Sequence, residues 1–198
     1  SGFINEMGFE TYQKILAEAI DELKEKEFKD LYEETEGPKK DFVRETTLDT
    51  DFELLFPDDY VNNITERLNL YTQLNDLKKE EELLNFEREL IDRFGPLPEQ
   101  VKDLLTSVRI KWAAAALGLE RIIMKNEKMT GYFIPDAESS FFQTENFTKI
   151  LDYVKTHPNK MKMDQRETRN GMRLLIYFKK ISSVDQALET LKDVLKEG

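Results

Sequence analysis

The run Phe94-Gly95-Pro96-Leu97-Pro98 separates two amphipathic helical stretches and fixes where one must stop and the other begin. Gly95 can take the left-handed conformation that closes a helix, and Pro96 forbids continuation. Pro98, with fixed φ and no backbone donor, suits the first position of the next helix, and Glu99 follows in its first turn. Before the break, Leu83, Phe86, Leu90 and Phe94 recur on one helical side. After it, Val101, Leu104, Leu105, Val108, Trp112 and Ala115 form the clearest stripe of the chain, and Gly118 ends it. Trp112 lies on that stripe and is read as core rather than as a binding platform.

One detail of this corner is not required by a helix–turn–helix. Glu89 and Asp92 sit in the last turn of the first helix, facing the negative end of its dipole. That costs about 0.3–1 kcal/mol per exposed acid. Misfits of this kind gather at functional positions. On the chemistry alone, a solvated pair offset by Arg93 is the simpler reading.

The rest of the chain falls around this unit. Residues 3–28 read as a helix through Phe9, Tyr12, Leu16, Ala19 and Leu23, and the charged stretch after it, with Gly37-Pro38, as a linker. Leu48, Thr50, Phe52, Leu54 and Phe56 alternate with Asp49, Asp51 and Glu53, which predicts a half-buried strand ending at Pro57. The three acids fall on its solvent face, where a solvated role outweighs a metal site. Asp58 or Asp59 is placed to cap a helix carrying Val61, Ile64, Leu68, Tyr71 and Leu74 on one side.

Downstream, Leu119–Lys125 and 131–134 read as strands around a turn at Asn126-Glu127-Lys128. Phe147, Ile150, Leu151 and Val154 make a short helix that stops before Pro158. Met161 and Met163 open a hairpin with an Asn170-Gly171 turn, and Met172, Leu174, Ile176 and Phe178 share a face of the returning strand. Ser183 and Gln186 form a capping box for a last helix of Val184, Leu188, Leu191 and Leu195. Strands and helices in separate runs give an α+β fold, a helical subdomain packed with a small mixed or antiparallel sheet. The expected division is a helix and linker over 1–45 and an α+β domain over 46–198.

Composition narrows function. With no Cys, disulfides, thiolate metal sites and Cys nucleophiles are excluded, and a single histidine excludes an H-E-x-x-H zinc site. No G-x-x-x-x-G-K-[ST] loop or G-x-S-x-G elbow occurs. His157, before Pro158 at a helix end, suits a dipole contact better than general-base work. No apolar run reaches the ~20 residues of a membrane span, so a cytoplasmic chain is expected. The missing motifs and ligand types give the expectation of a non-enzymatic chain with no metal. The 40 acids against 29 bases, net −11, argue against phosphate backbone as the main ligand. The one local basic cluster is Lys160, Lys162, Arg166, Arg169 and Arg173, either a polar sheet face or a secondary contact to phosphate, which leaves an accessory nucleic-acid-binding domain as the alternative function.

Several runs together resemble the C-terminal region of bacterial transcription-repair coupling factor. They are Pro57-Asp58-Asp59-Tyr60-Val61, Arg67-Leu68 with Tyr71, Glu89-Leu90-Ile91-Asp92-Arg93-Phe94-Gly95 with Leu97-Pro98, and Leu117-Gly118. Ser1-Gly2-Phe3-Ile4 and Gly8-Phe9-Glu10-Thr11-Tyr12 resemble the segment just after the translocase module there. The resemblance implies a non-catalytic terminal domain of an ATP-driven DNA translocase that displaces stalled RNA polymerase and recruits excision repair through UvrA. ATP would bind elsewhere in the full-length protein, leaving no cofactor in this part. The domain would pack on a UvrB-like module of the same polypeptide, mask UvrA binding and restrain the motor. Glu89 and Asp92 match the positions of acidic contacts to arginines of that module, and Arg93 either braces them or meets the partner. Three residues apart, the carboxylates lie about 60° apart around the helix and share a face.

Overall fold

Two hydrophobic cores share one helix, Glu99–Ala116. The structure, a computed structural model, describes residues 42–169 and 171–196. The helix expected over 3–28 and the linker after it lie outside the described residues. In order, the elements are β1 (Thr47–Thr50), α1 (Ile64–Asp76), α2 (Glu80–Phe94), α3 (Glu99–Ala116), β2 (Leu119–Lys125) and β3 (Lys128–Phe133). A 3₁₀ turn at Ser140–Gln143 comes next, then α4 (Glu145–Thr156), β4 (Met161–Thr168), β5 (Gly171–Phe178) and α5 (Val184–Lys196). This is an α+β fold.

The sheet runs β1-β2-β3-β5-β4, with β1 parallel to β2 and every other pair antiparallel. A parallel pair needs a long crossover. Here α1, α2 and α3 supply it, so the helical subdomain is inserted between two neighbouring strands. The inner sheet face buries Ile122, Met124, Met129, Phe133, Ile176 and Phe178 against the C-terminal half of α3 and against α4 and α5. The second core joins Phe56 and Val61 to Leu70 and Leu74 of α1, Leu83, Phe86 and Leu90 of α2, and Val101, Leu104 and Leu105 of α3. Arg109 of α3 grips Glu80 of α2 through two Nε–carboxylate contacts of 2.9 Å and an Nη2 contact of 2.7 Å. That bidentate hydrogen bond holds the Glu80 carboxyl below its ordinary range.

Several expectations need correction. The strand expected from Leu48 to Pro57 pairs only to Thr50, because the chain then leaves the sheet to carry Phe56 into the second core. On α1, Ile64 is 66% exposed and Leu68 61% exposed, while Leu70 and Leu74 are buried. Asn63 caps this helix through its side chain, and Val61 is buried in the turn before it. Of the expected apolar face, Val61, Tyr71 and Leu74 do meet the second core; Ile64 and Leu68 do not, and Leu70 takes their place. Pro98 is the cap residue of α3, and Glu99 is its first helical residue. The expected α3 stripe is too narrow: Ile110 is fully buried outside it, and Val108 and Trp112 pack partly buried on the second core. The small side chains of Ala113 and Ala114 are buried, as the close packing expected of Ala113 to Ala116 requires. The β2–β3 turn is the pair Asn126-Glu127, both at positive φ, so β3 starts at Lys128 and ends at Phe133. In the second hairpin Thr168 pairs with Gly171, so Gly171 begins the strand; Asn170 lies outside the described residues. Val194 rather than Leu195 is buried on α5. His157 caps α4, its Nδ1 3.0 Å from the Tyr153 carbonyl and its ring stacked on Tyr153 at 4.0 Å.

Gly118 shows why one residue type alone fits the end of α3. Its φ is +76°, and a Cβ there would lie 2.2 Å from the Phe141 ring. Both the turn and the aromatic packing beneath it need a hydrogen at this place.

Candidate functional site, an acidic shoulder at the end of α2

The amphipathic pattern of α2 sinks Leu83, Phe86 and Leu90 into the second core and turns the opposite side to solvent. The helix begins with Glu80, Glu81 and Glu82, acids that suit the positive end of its dipole. The Glu82 carboxylate accepts from the Lys78 and Lys79 amides at 2.8 and 3.3 Å. At the other end, the Gly95 amide donates to the Ile91 carbonyl at 2.9 Å with Gly95 at φ +89°. The chain stops there and turns through Pro96 to α3.

Tyr60 braces this end. Its hydroxyl lies 2.9 Å from the Gly95 carbonyl and 3.2 Å from that of Leu90, and its ring packs on Phe94 at 5.7 Å. Burial pushes the phenol above its ordinary pKa, so it stays a donor at neutral pH. Arg93 makes the second brace. Its guanidinium pairs with Glu66 of α1, lies 3.5 Å from Glu89 and sits over the Phe94 ring at 4.8 Å.

On this supported end Glu89 and Asp92 are both exposed. The Glu89 side chain keeps 54% of its surface in water despite its contact with Arg93. Asp92 forms no hydrogen bond or ion pair among the described residues. Ile91, between them in sequence, is 42% exposed. Beside Arg93 lies an open polar hollow of about 600 Å³, lined by Asn63, Glu66, Asn69 and Gln73. Two carboxylates on one helical face, held by a fixed backbone, can receive guanidinium groups through charge-assisted bonds. Sequence reasoning misses two supporting residues, Tyr60 and Glu66. Tyr60 stands in the Pro57–Val61 run, but nothing local marks its hydroxyl as aimed at the Gly95 turn.

Much of the other predicted cluster shares one face of the sheet, but one member is taken up within the fold. Arg166 and Arg173 are cross-strand neighbours, but Arg173 is tied inward, its Nε donating to the Phe133 carbonyl at 3.2 Å and its Nη2 paired with Glu120. Lys160, Lys162, Arg166 and Arg169 are exposed. Of the three acids expected on the first strand, two are used within the fold: Asp49 faces Lys125 at 2.9 Å and Arg121 at 3.4 Å, and Asp51, just past the strand, accepts from the Asn126 amide at 3.0 Å. Among the described residues, no helix is long and apolar enough to cross a membrane.

Residues 50–144 match the TRCF domain family. The chain is 33% identical over 184 residues to a transcription-repair-coupling factor of Rickettsia conorii, covering 91% of this chain and 14% of that protein. Against the Escherichia coli protein of the same name it is 28% identical over 201 residues, covering 100% of this chain and 16% of that one. The chain thus spans about one-sixth or less of these relatives. A crystal structure of the C-terminal domain of transcription-repair coupling factor shares the fold, with a TM-score of 0.55 at 20% identity over 77% of this chain and 94% of that one.

Proposed function

The chain belongs to the transcription-repair-coupling factor family, and we propose that it acts there as a non-catalytic regulatory domain whose α2 shoulder clamps a basic surface elsewhere in the same polypeptide. The parent would be the ATP-dependent DNA translocase that the resemblance implies, acting on stalled RNA polymerase and recruiting excision repair. The surface gripped would be the arginines of its UvrB-like module. Closing the clamp would cover the face of that module used by UvrA. Residues 1–45 would link the motor to this domain.

The observation that carries this reading is the Asp92 carboxylate, exposed and, among the described residues, unpaired, one turn from Glu89 and in the last turn of a helix whose dipole disfavours it. An acid kept only for solubility needs no such support as Tyr60 and Arg93 give this turn. Arg93 is already occupied by Glu66 and Glu89, which supports its role as a brace and leaves Asp92 and the outer side of Glu89 for the partner. A contact made of exposed charge-assisted bonds is reversible, so inhibition and release belong to one equilibrium that a competing ligand shifts. The test is Glu89→Ala with Asp92→Ala in the full-length protein, read as UvrA affinity. A rise supports the clamp, and an unchanged affinity contradicts it.

A further inference from the structure

The sheet face turned away from α3, α4 and α5 is covered by no element among the described residues, and its side chains are not those of an idle surface. Arg121 and Arg173 both lie against the Tyr132 ring, at 5.8 and 5.4 Å from its centroid, and Arg166 lies over Tyr177 at 5.5 Å. Leu175, between Arg166 and Tyr177 in the strand register, is 1% exposed although no helix among the described residues lies on this side. The arginines and tyrosines therefore form a packed layer of their own.

Charge is unevenly spread across that layer. Toward β1 the cations are neutralised: Asp49 takes Arg121 and Lys125, and Glu120 takes Arg173. Toward the β4 edge they are not. Among the described residues, Lys160, Lys162, Arg166 and Lys179 are exposed and form no ion pair, with Asp164 the one acid of β4 on their face. Alternation places Lys162 and Arg166 on the same side of β4. Lys160 continues that side, because the Lys179 amide donates to its carbonyl at 2.9 Å. Successive same-face positions are about 6.8 Å apart, so the row from Lys160 to Arg166 extends about 20 Å. Stacking on Tyr177 holds the Arg166 guanidinium in place before any ligand arrives, so less side-chain freedom is lost on binding.

We infer that the β4 half of this face, built on Lys160, Lys162, Arg166 and Lys179 around Tyr177, binds a single strand of nucleic acid through its phosphates. Beyond Leu175 the β4–β5 hairpin runs on without β3 as a two-stranded ribbon, but Lys160, Lys162 and Lys179 lie on the part backed by β3, a sheet surface along which an extended strand can lie. The chain's net charge of −11 makes such binding local and strongly salt-dependent. This inference stands independently of the acidic shoulder.

The probe is a fluorescein-labelled oligothymidine titrated with the whole 198-residue chain and followed by anisotropy. With four cations offset by Asp164, about three phosphates are neutralised, giving a salt slope of about −2 and roughly a twentyfold loss of affinity between 50 and 200 mM salt. Lys162→Gln with Arg166→Gln and Lys179→Gln is expected to weaken binding at low salt by about tenfold or more and to flatten that slope. Lys162→Gln with Lys179→Gln keeps the Arg166–Tyr177 stack and is expected to give an intermediate loss, so a folding defect cannot imitate the result. No saturable binding, binding indifferent to these substitutions, or tighter binding to duplex DNA or to polyglutamate overturns the inference. The last of these would mark an acidic protein partner instead.

Discussion

The Tyr60 hydroxyl reaches the carbonyl of Gly95 at 2.9 Å, tying the turn before α1 to the turn after α2. One phenol thus fixes the backbone from which Glu89 and Asp92 project. Tyr60→Phe keeps the ring contact with Phe94 and deletes only the donor. It is expected to lower stability by about 1 kcal/mol, seen as a lower urea midpoint with an unchanged m value. No change in midpoint would mean that the bond contributes nothing to the corner.

Two glycines separate strain from space. At Gly95 φ is +89° and ψ −166°, a backbone region essentially restricted to glycine, and nothing lies within 4 Å of where a methyl group would sit, so Gly95→Ala meets backbone strain alone, about 1–3 kcal/mol. At Gly118, with φ +76°, a backbone cost is joined by collision with Phe141. Gly118→Ala is expected to lose at least about 1 kcal/mol more than Gly95→Ala in parallel denaturant melts. Equal losses would show that the Phe141 ring moves aside freely.

Asp103 is held above its ordinary pKa, chiefly by burial and then by the charges of Asp185 and Glu99. A carboxyl raised in the folded state binds its proton more readily there than in the unfolded chain. Its stabilising share is therefore complete at pH values below the unfolded carboxyl pKa and is lost as pH rises through the folded value. Asp103→Asn should raise Tm at pH 7, and the gain should shrink toward zero as both forms are compared in acid. A lower Tm for Asp103→Asn at pH 7 would contradict this.

At two positions of α1, Ile64 and Leu68, helical spacing and the observed burial make opposite predictions, while Tyr71 and Leu74 meet the core as spacing suggests. Ile64→Ser and Leu68→Ser should each fall within about 0.5 kcal/mol of the parent, since both side chains are already in water. Leu70→Ala, at a residue 2% exposed, should cost about 2–5 kcal/mol. Comparable losses at all three positions would restore the face that helical spacing suggests.

That reversal shows what is and is not legible in the chain. The Gly95–Pro98 break, the buried side of α2, the Gly118 stop and the Ser183–Gln186 cap rest on chemistry confined to a few neighbours, and each is present. In the last of these the Gln186 amide donates to the Ser183 hydroxyl at 3.1 Å. The α1 face is only partly legible: Tyr71 and Leu74 meet the core, but Leu70 rather than Ile64 and Leu68 completes it, because the side that packs is set by the second core and not by spacing alone. The α3 stripe comes out too narrow because a helix between two cores is buried on more than one side. Strand order is out of reach, since placing β5 between β3 and β4 leaves no mark on either strand alone. In the shoulder, Glu89 and Asp92 announce themselves by clashing with the helix dipole. Glu66, the residue that occupies Arg93, carries no such signal because its pairing spans two helices.

The decisive measurement is UvrA binding by the full-length protein carrying Glu89→Ala and Asp92→Ala, with the circular dichroism and melting of the isolated domain as the folding control. Both side chains are exposed, so the domain should melt within about 0.5 kcal/mol of the parent. Loss of two charge-assisted contacts should raise UvrA affinity by about tenfold or more. An affinity equal to that of the parent, with the domain intact, would show that these carboxylates grip nothing.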